Sequence, residues 1–159
     1  MVGASFLGGG LLTVELLLAT AMVVVMVVTH LVGLGLLIRL LQSHSRLLKQ
    51  VRLTPLTLLL TATVGIITIH SVEIWTYAGL YVGLDAFRNF EEALYFSTVT
   101  YASIGYGDLL MPKPWRILAA IEGAAGVIML GWSTAFLVSL LNQLKLLRHD
   151  WLSREEAAG

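Results

Sequence analysis

The feature that most constrains this chain is a set of three apolar runs, each long enough to cross a bilayer. The first runs roughly from Leu16 to Ile38 and is closed by Arg39. The second begins after Pro55, a residue suited to a first helical turn, and continues to about Tyr81. The third runs from about Trp115 to Leu144. A hydrocarbon core about 30 Å thick calls for about 20 apolar residues per helix. In that medium each backbone N–H and C=O must be satisfied within the segment, so each run has to be helical. The third run is the longest, which predicts a tilted helix. Composition agrees: 57% of the 159 residues are hydrophobic and only 13% charged, with a mean hydropathy of +0.85. A short water-soluble domain does not have that balance, and the length allows one membrane domain. The formal net charge is zero, so no basic surface for nucleic acid is expected, and the lack of cysteine excludes disulfides and thiolate metal sites.

Charge sets the orientation. Residues 1–38 hold no Lys or Arg, whereas the connection after the first run holds Arg39, Arg46, Lys49 and Arg52 with no acid, and the tail holds Lys145, Arg148 and Arg154. The positive-inside rule puts the 39–54 connection and the C-terminus in the cytoplasm and the N-terminus outside, in a multi-pass protein of the cell (inner) membrane. The acids Glu15, Asp85, Glu91, Glu92 and Asp108 then fall on or near the outer side, where they concentrate cations. The first run lacks a positive n-region and is followed by basic residues, so an uncleaved span is expected rather than a secretory signal.

Between the second and third runs lies a shorter, semi-polar stretch, Asn89 to Thr100, followed by Ser103-Ile104-Gly105-Tyr106-Gly107-Asp108. At 1.5 Å per residue the stretch reaches about halfway across the hydrocarbon, which predicts a re-entrant half-helix and a loop. Such a loop is tolerable only where it lines a water-filled path inside protein. Asn89 with Glu92 three residues on is a capping-box variant, and the half-helix then aims its partly negative C-terminal end at the loop. Gly105 and Gly107, spaced by two, accept positive φ, which lets successive carbonyls face one axis instead of alternating as in a strand. Rings of such carbonyls replace the water shell of K⁺.

The segment from about residue 85 to 142 resembles the pore-loop potassium channels, in the simple prokaryotic type with one pore loop per subunit. The family's Thr-Val-Gly-Tyr-Gly-Asp filter stands here as Ser103 to Asp108. The stretch Glu92-Ala93-Leu94-Tyr95-Phe96-Ser97 resembles its pore helix, and Trp115, Arg116, Gly126 and Gly131 resemble its inner helix with a glycine hinge. The resemblance implies an all-α membrane fold with an outer helix over 56–81, a pore helix over 89–101, a filter over 103–108 and an inner helix over 115–144, assembled as a C4 homotetramer. Residues 1–54 add an extra N-terminal helix and basic loop, and 145–159 form a short tail. The resemblance also implies K⁺ held at Ser103, Ile104, Gly105 and Tyr106. Two departures bear on the filter. Ser103 keeps the hydroxyl of the usual Thr but loses its methyl. Phe96 stands where relatives often have a Trp that bonds the filter tyrosine, and it has no donor. Tyr95, one residue earlier, is within reach of Asp108, and Thr100 supports the filter from below. A softer filter, with gating at the filter itself, is the expectation.

Ionisable residues inside spans are costly and usually face protein or water. Counted from the outer ends, His70, Glu73 and Glu122 fall at one height, which predicts a His70–Glu73–Glu122 cluster behind the filter. Three roles fit it: a hydrogen-bonded brace between helices, a proton sensor, or a metal site. His30, alone in the first run, is expected to be packed or hydrogen-bonded. Glu15 is expected as a solvated outer end, Gly33 and Gly35 as close-packing residues, and Trp75, Tyr77, Tyr81 and Trp115 as an outer aromatic belt. Trp132 is expected in core or intersubunit packing. Val127, Leu130, Thr134, Val138 and Asn142 recur at helical spacing and by resemblance line the cavity and inner gate, the alternative being helix packing. Gly126 and Gly131 are either hinges or small packing residues.

The chain carries no nucleophile–base pair, no Walker-type loop, no arginine-ladder voltage sensor and no internal repeat, so neither an enzyme nor a voltage-gated channel is expected. Residues 145–159 are too few for a ligand-binding domain. No cofactor is expected beyond K⁺ in the filter, and the partners are membrane lipid and further copies of the chain. A weakly selective cation channel and a non-conducting regulatory subunit are the alternatives. The gating stimulus and any regulatory partner are left open.

Overall fold

Four helices account for the described part of the chain. The computed structural model describes residues 3–47 and 55–144, with side chains over 10–43 and 55–144. The helices are α1 (Gly3–Leu47), α2 (Pro55–Gly83), α3 (Phe90–Tyr101) and α4 (Arg116–Gln143), with a single 3-10 turn, Lys113–Trp115, leading into α4. No strand occurs among the described residues. Three helices are long and apolar enough to span a membrane. The fold is therefore an all-α membrane architecture. Lys49, Arg52 and the whole 145–159 tail, on which the orientation rests in part, lie outside the described residues.

Helix boundaries follow breakers rather than hydropathy. The longest helix is α1, at 45 residues, not the third span, at 28. It runs past the apolar stretch at both ends because no proline interrupts the chain before Pro55. α2 starts on Pro55 and ends at Gly83, where Asp85 turns the chain with φ +52° and the Ala86 N–H donates to the Tyr81 carbonyl at 2.9 Å. Extended Asn89 caps α3, its side chain accepting the Glu92 N–H at 2.9 Å. With 12 residues, α3 is about 18 Å long and reaches about halfway through the hydrocarbon.

One core joins all four helices: Met22 and Met26 of α1, Tyr77 and Tyr81 of α2, Phe96 and Tyr101 of α3, Leu118 and Met129 of α4, with Phe87 from the turn. Phe96 lies with its ring centroid 5.7 Å from Tyr81 and 5.0 Å from Phe87. Tyr77 and Tyr81 are therefore core residues, fully buried, and not part of an interfacial belt. Hydropathy along α2 cannot separate these roles, because lipid-facing and core-facing tyrosines read alike. Trp75 does face outward, and Trp115 is partly buried.

α1 lies against both α2 and α4 of its own chain. Its buried side chains, Glu15, Ala19, Met22, Met26 and His30 at three- and four-residue spacing and Leu37 seven residues on, form one narrow seam. The seam closes tightly where a Cβ on Gly33 would come within 2.7 Å of Ile69, and a Cβ on Gly65 would meet Leu37. A Cβ on Gly35 meets nothing within 4 Å, so Gly35 has no such close-packing role among the described residues. Glu15 is not a solvated end. It is buried, and its Oε1 accepts the N–H groups of Ile117 at 2.7 Å and Leu118 at 3.1 Å, capping α4 from another helix.

Candidate functional site

The Ser103–Asp108 loop springs from the C-terminal end of α3. Ser103, Gly105 and Gly107 have φ of +55°, +60° and +75°, and the residues between them do not share that sign. This alternation turns successive peptide planes the same way, which glycine does without steric cost and serine does under strain of order 1–3 kcal/mol. The loop's first amides are anchored to α3. The Ser103 N–H donates to the Thr100 carbonyl at 2.9 Å, and the N–H groups of Ile104 and Gly105 both reach the Val99 carbonyl, at 2.9 and 3.4 Å. Among the described residues no donor reaches the carbonyls of Ser103 to Gly107. At the far end Tyr95 donates to Asp108 Oδ2 at 2.7 Å, and Asp108 Oδ1 accepts the Leu109 N–H at 3.1 Å. The Tyr95 hydroxyl, aided by the Leu109 N–H, holds the Asp108 carboxyl below the usual carboxylate range. The side chains of Ile104 and Tyr106 are exposed in the single chain.

α4 passes directly behind the root of this loop. A Cβ on Gly126 would run into the Tyr101 carbonyl, and one on Gly123 would sit 3.3 Å from the Thr100 carbonyl. Gly126 is a close-approach residue, whereas Gly131 meets nothing within 4 Å. Val127, Leu130, Thr134, Val138 and Asn142 are all exposed in the single chain and share one side of α4. The Thr134 hydroxyl is turned back to the Leu130 carbonyl at 2.9 Å.

The expected His70–Glu73–Glu122 cluster is not assembled; two separate networks take its place. Glu122, fully buried, accepts from Tyr81 at 2.6 Å and lies 2.5 Å from Ser97 Oγ, which also approaches the Ile74 carbonyl at 3.1 Å. Glu73 sits one turn of α3 further on, at Tyr101. It pairs with His30 Nδ1 through one oxygen at 3.0 Å. The other oxygen meets His70 Nδ1 at 3.0 Å and the Tyr101 hydroxyl at 2.5 Å. His70 Nδ1 is also 2.6 Å from Tyr101, and Ser133 Oγ faces Nε2 of His70 at 3.0 Å and of His30 at 3.5 Å. Residue counting fixes height on a helix but not azimuth, so Glu122 falls near the height of Glu73 without joining it. α4 contributes Ser133 to the Glu73 network instead, and α1 contributes His30. Tyr101, Ser133, Ser97 and Tyr81 are the participants the sequence reading missed. Only the His70/Glu73 spacing of three signals the network locally. Ligand atoms of His30, His70 and Glu73 all lie within 4.8 Å of one another.

No curated protein and no solved structure matches this chain. Residues 56–143 match a family described as "Ion channel". That stretch takes in nearly all of α2, then α3, the loop and α4, more than half of the sequence. The chain belongs to this ion channel family, which points to a channel rather than an enzyme.

Proposed function

We propose that the chain is a potassium-selective channel that works as a C4 homotetramer, with Ser103 to Asp108 as its filter. The observation that carries this reading is the alternation of φ along Ser103, Gly105 and Gly107 together with carbonyls left free of donors. A backbone so arranged offers a row of oxygens on one side, which is what a dehydrated K⁺ needs. A single loop surrounds nothing, and its exposed Ile104 and Tyr106 would lie bare at membrane depth. Four copies about one axis close the ring and cover those side chains. K⁺ then sits between carbonyl rings of Ser103, Ile104, Gly105 and Tyr106, with the Ser103 hydroxyl as the innermost ring, and moves passively by knock-on.

In the same arrangement the exposed stripe Val127, Leu130, Thr134, Val138 and Asn142 faces the cavity, with Val138 and Asn142 at the cytoplasmic constriction. Tyr95, through Asp108, braces the mouth in place of the donor that Phe96 lacks. The basic residues support an inner-membrane topology with the filter mouth and N-terminus outside. The test is K⁺ flux into liposomes carrying the purified protein, with Gly105→Ala as control. Alanine at φ +60° is disfavoured by roughly 1–2 kcal/mol per subunit. Flux in the wild type and its loss in G105A are expected; equal flux from both, or a purified protein that is not tetrameric, would overturn the proposal.

A further inference from the structure

The Glu73 network draws one residue or more from each of the four helices. Both imidazole Nδ1 atoms face Glu73, at 3.0 Å in each case, and His70 Nδ1 is nearer still to the Tyr101 hydroxyl, at 2.6 Å. Both Nε2 atoms face the single hydroxyl of Ser133. With neutral rings, a hydroxyl that has one hydrogen and two lone pairs meets both Nε2 atoms only when at least one of them carries the hydrogen, which turns that ring's Nδ1 lone pair toward Glu73 in the protein interior, where Glu73 and His30 are buried.

We propose that His30, His70, Glu73 and Tyr101 form a binding site for a divalent transition-metal ion of the zinc type. Two imidazoles, a carboxylate and a phenol oxygen are donors such an ion accepts. Metal–ligand bonds of about 2.0–2.2 Å in a tetrahedron place the donor atoms about 3.4 Å apart. The donor pairs here stand at 3.0 Å (His30–Glu73), 3.0 Å (His70–Glu73), 2.6 Å (His70–Tyr101) and 2.5 Å (Tyr101–Glu73). His30 meets the first carboxylate oxygen of Glu73 and the other two donors meet the second, and ligand atoms of His30, His70 and Glu73 all lie within 4.8 Å of one another; side-chain shifts of about 1–1.5 Å, outward at the short contacts and inward at the wider ones, bring the donors to that spacing. Ligation through Nδ1 places each ring hydrogen on Nε2, and the two lone pairs of Ser133 Oγ then accept both. Ligating histidines are oriented by this kind of outer hydrogen bond. Glu73 and Tyr101, the latter as phenolate after releasing its proton to solvent, balance the double positive charge. His70, with 12% of its side chain exposed in the single chain, marks the side from which an ion enters. The bound ion ties α1 to the end of α3, at the root of the Ser103–Asp108 loop.

The remaining histidines, His44 and His149, are replaced by alanine to remove adventitious sites. The full chain in detergent, stripped with a chelator, is then titrated with Co²⁺. One Co²⁺ per chain is expected, with the intense visible absorption of four-coordinate cobalt, displaced by Zn²⁺. His30→Gln and His70→Gln should each weaken binding by more than tenfold, and Ser133→Ala, which removes no ligand and keeps the chain packed, by about 10–100-fold. Absence of saturable binding would overturn the proposal. Binding that Ser133→Ala and both glutamine variants leave unchanged would overturn it equally. No ion flux is measured, so the outcome is independent of the channel reading.

Discussion

Gly126→Ala separates a packing glycine from a hinge, and its effect can be worked from the geometry. The added methyl would overlap the Tyr101 carbonyl oxygen and sit 3.0 Å from its carbon and 3.1 Å from its Cα. All three are backbone atoms, so no side-chain rotation relieves the clash. Restoring ordinary contact at about 3.5 Å requires α4 and the end of α3 to part by about 1 Å. Overpacking of this kind typically costs about 1–3 kcal/mol, against a gain of about 1 kcal/mol from replacing glycine by alanine in a helix. Gly131→Ala receives only the gain, since among the described residues nothing beyond its own helical turn lies within 4 Å of the added methyl. The two variants should therefore differ in unfolding free energy by about 1–3 kcal/mol per chain, with G126A the weaker. Because the displaced backbone is the root of the loop, G126A should also lose K⁺ flux. Thermal unfolding in detergent and liposome flux read the two effects. Equal stability and equal flux in G126A and G131A would refute the packing argument. Loss of flux in G131A alone, with stability intact, would make Gly131 the hinge.

Glu15→Ala removes the acceptor for two α4 amides and should cost about 1 kcal/mol, as loss of a helix cap does; Glu15→Gln keeps an oxygen there and should cost less, and a wild-type melting temperature in E15A would contradict the capping role. The Tyr77 hydroxyl is buried without a partner among the described residues, so Tyr77→Phe should leave stability unchanged or raise it, and a loss beyond about 1 kcal/mol in denaturant unfolding would show that the hydroxyl is bonded. Tyr95→Phe removes the bond that lowers the Asp108 pKa and should raise it toward the ordinary value of about 3.9, read by NMR titration of the carboxyl carbon. A depressed carboxyl contributes stability that is present above its unfolded pKa and lost as pH falls through its folded pKa, so Y95F should lose the folded loop at a higher pH than the wild type; identical acid midpoints would exclude the brace.

The three spans, the half-helix and its Asn89 cap were legible because each is local: run length, spacing and a capping side chain decide them. The loop's glycines were legible for the same reason, since φ is a property of one residue. What the sequence did not carry was azimuth and partner. Glu15 reads as an end because its partners, Ile117 and Leu118, are about a hundred positions away. Tyr77 and Tyr81 read as a belt because a hydrophobic helix has no polar face to mark its inward side. Gly126 and Gly131 read alike, and only the Tyr101 carbonyl distinguishes them.

The central claim is potassium selectivity, and the reversal potential tests it most directly. Purified protein in a planar bilayer, with mainly K⁺ and some Na⁺ on one side and the mirrored mixture on the other, should reverse near the K⁺ equilibrium potential. Reversal near zero, with Na⁺ carrying comparable current, would contradict the account.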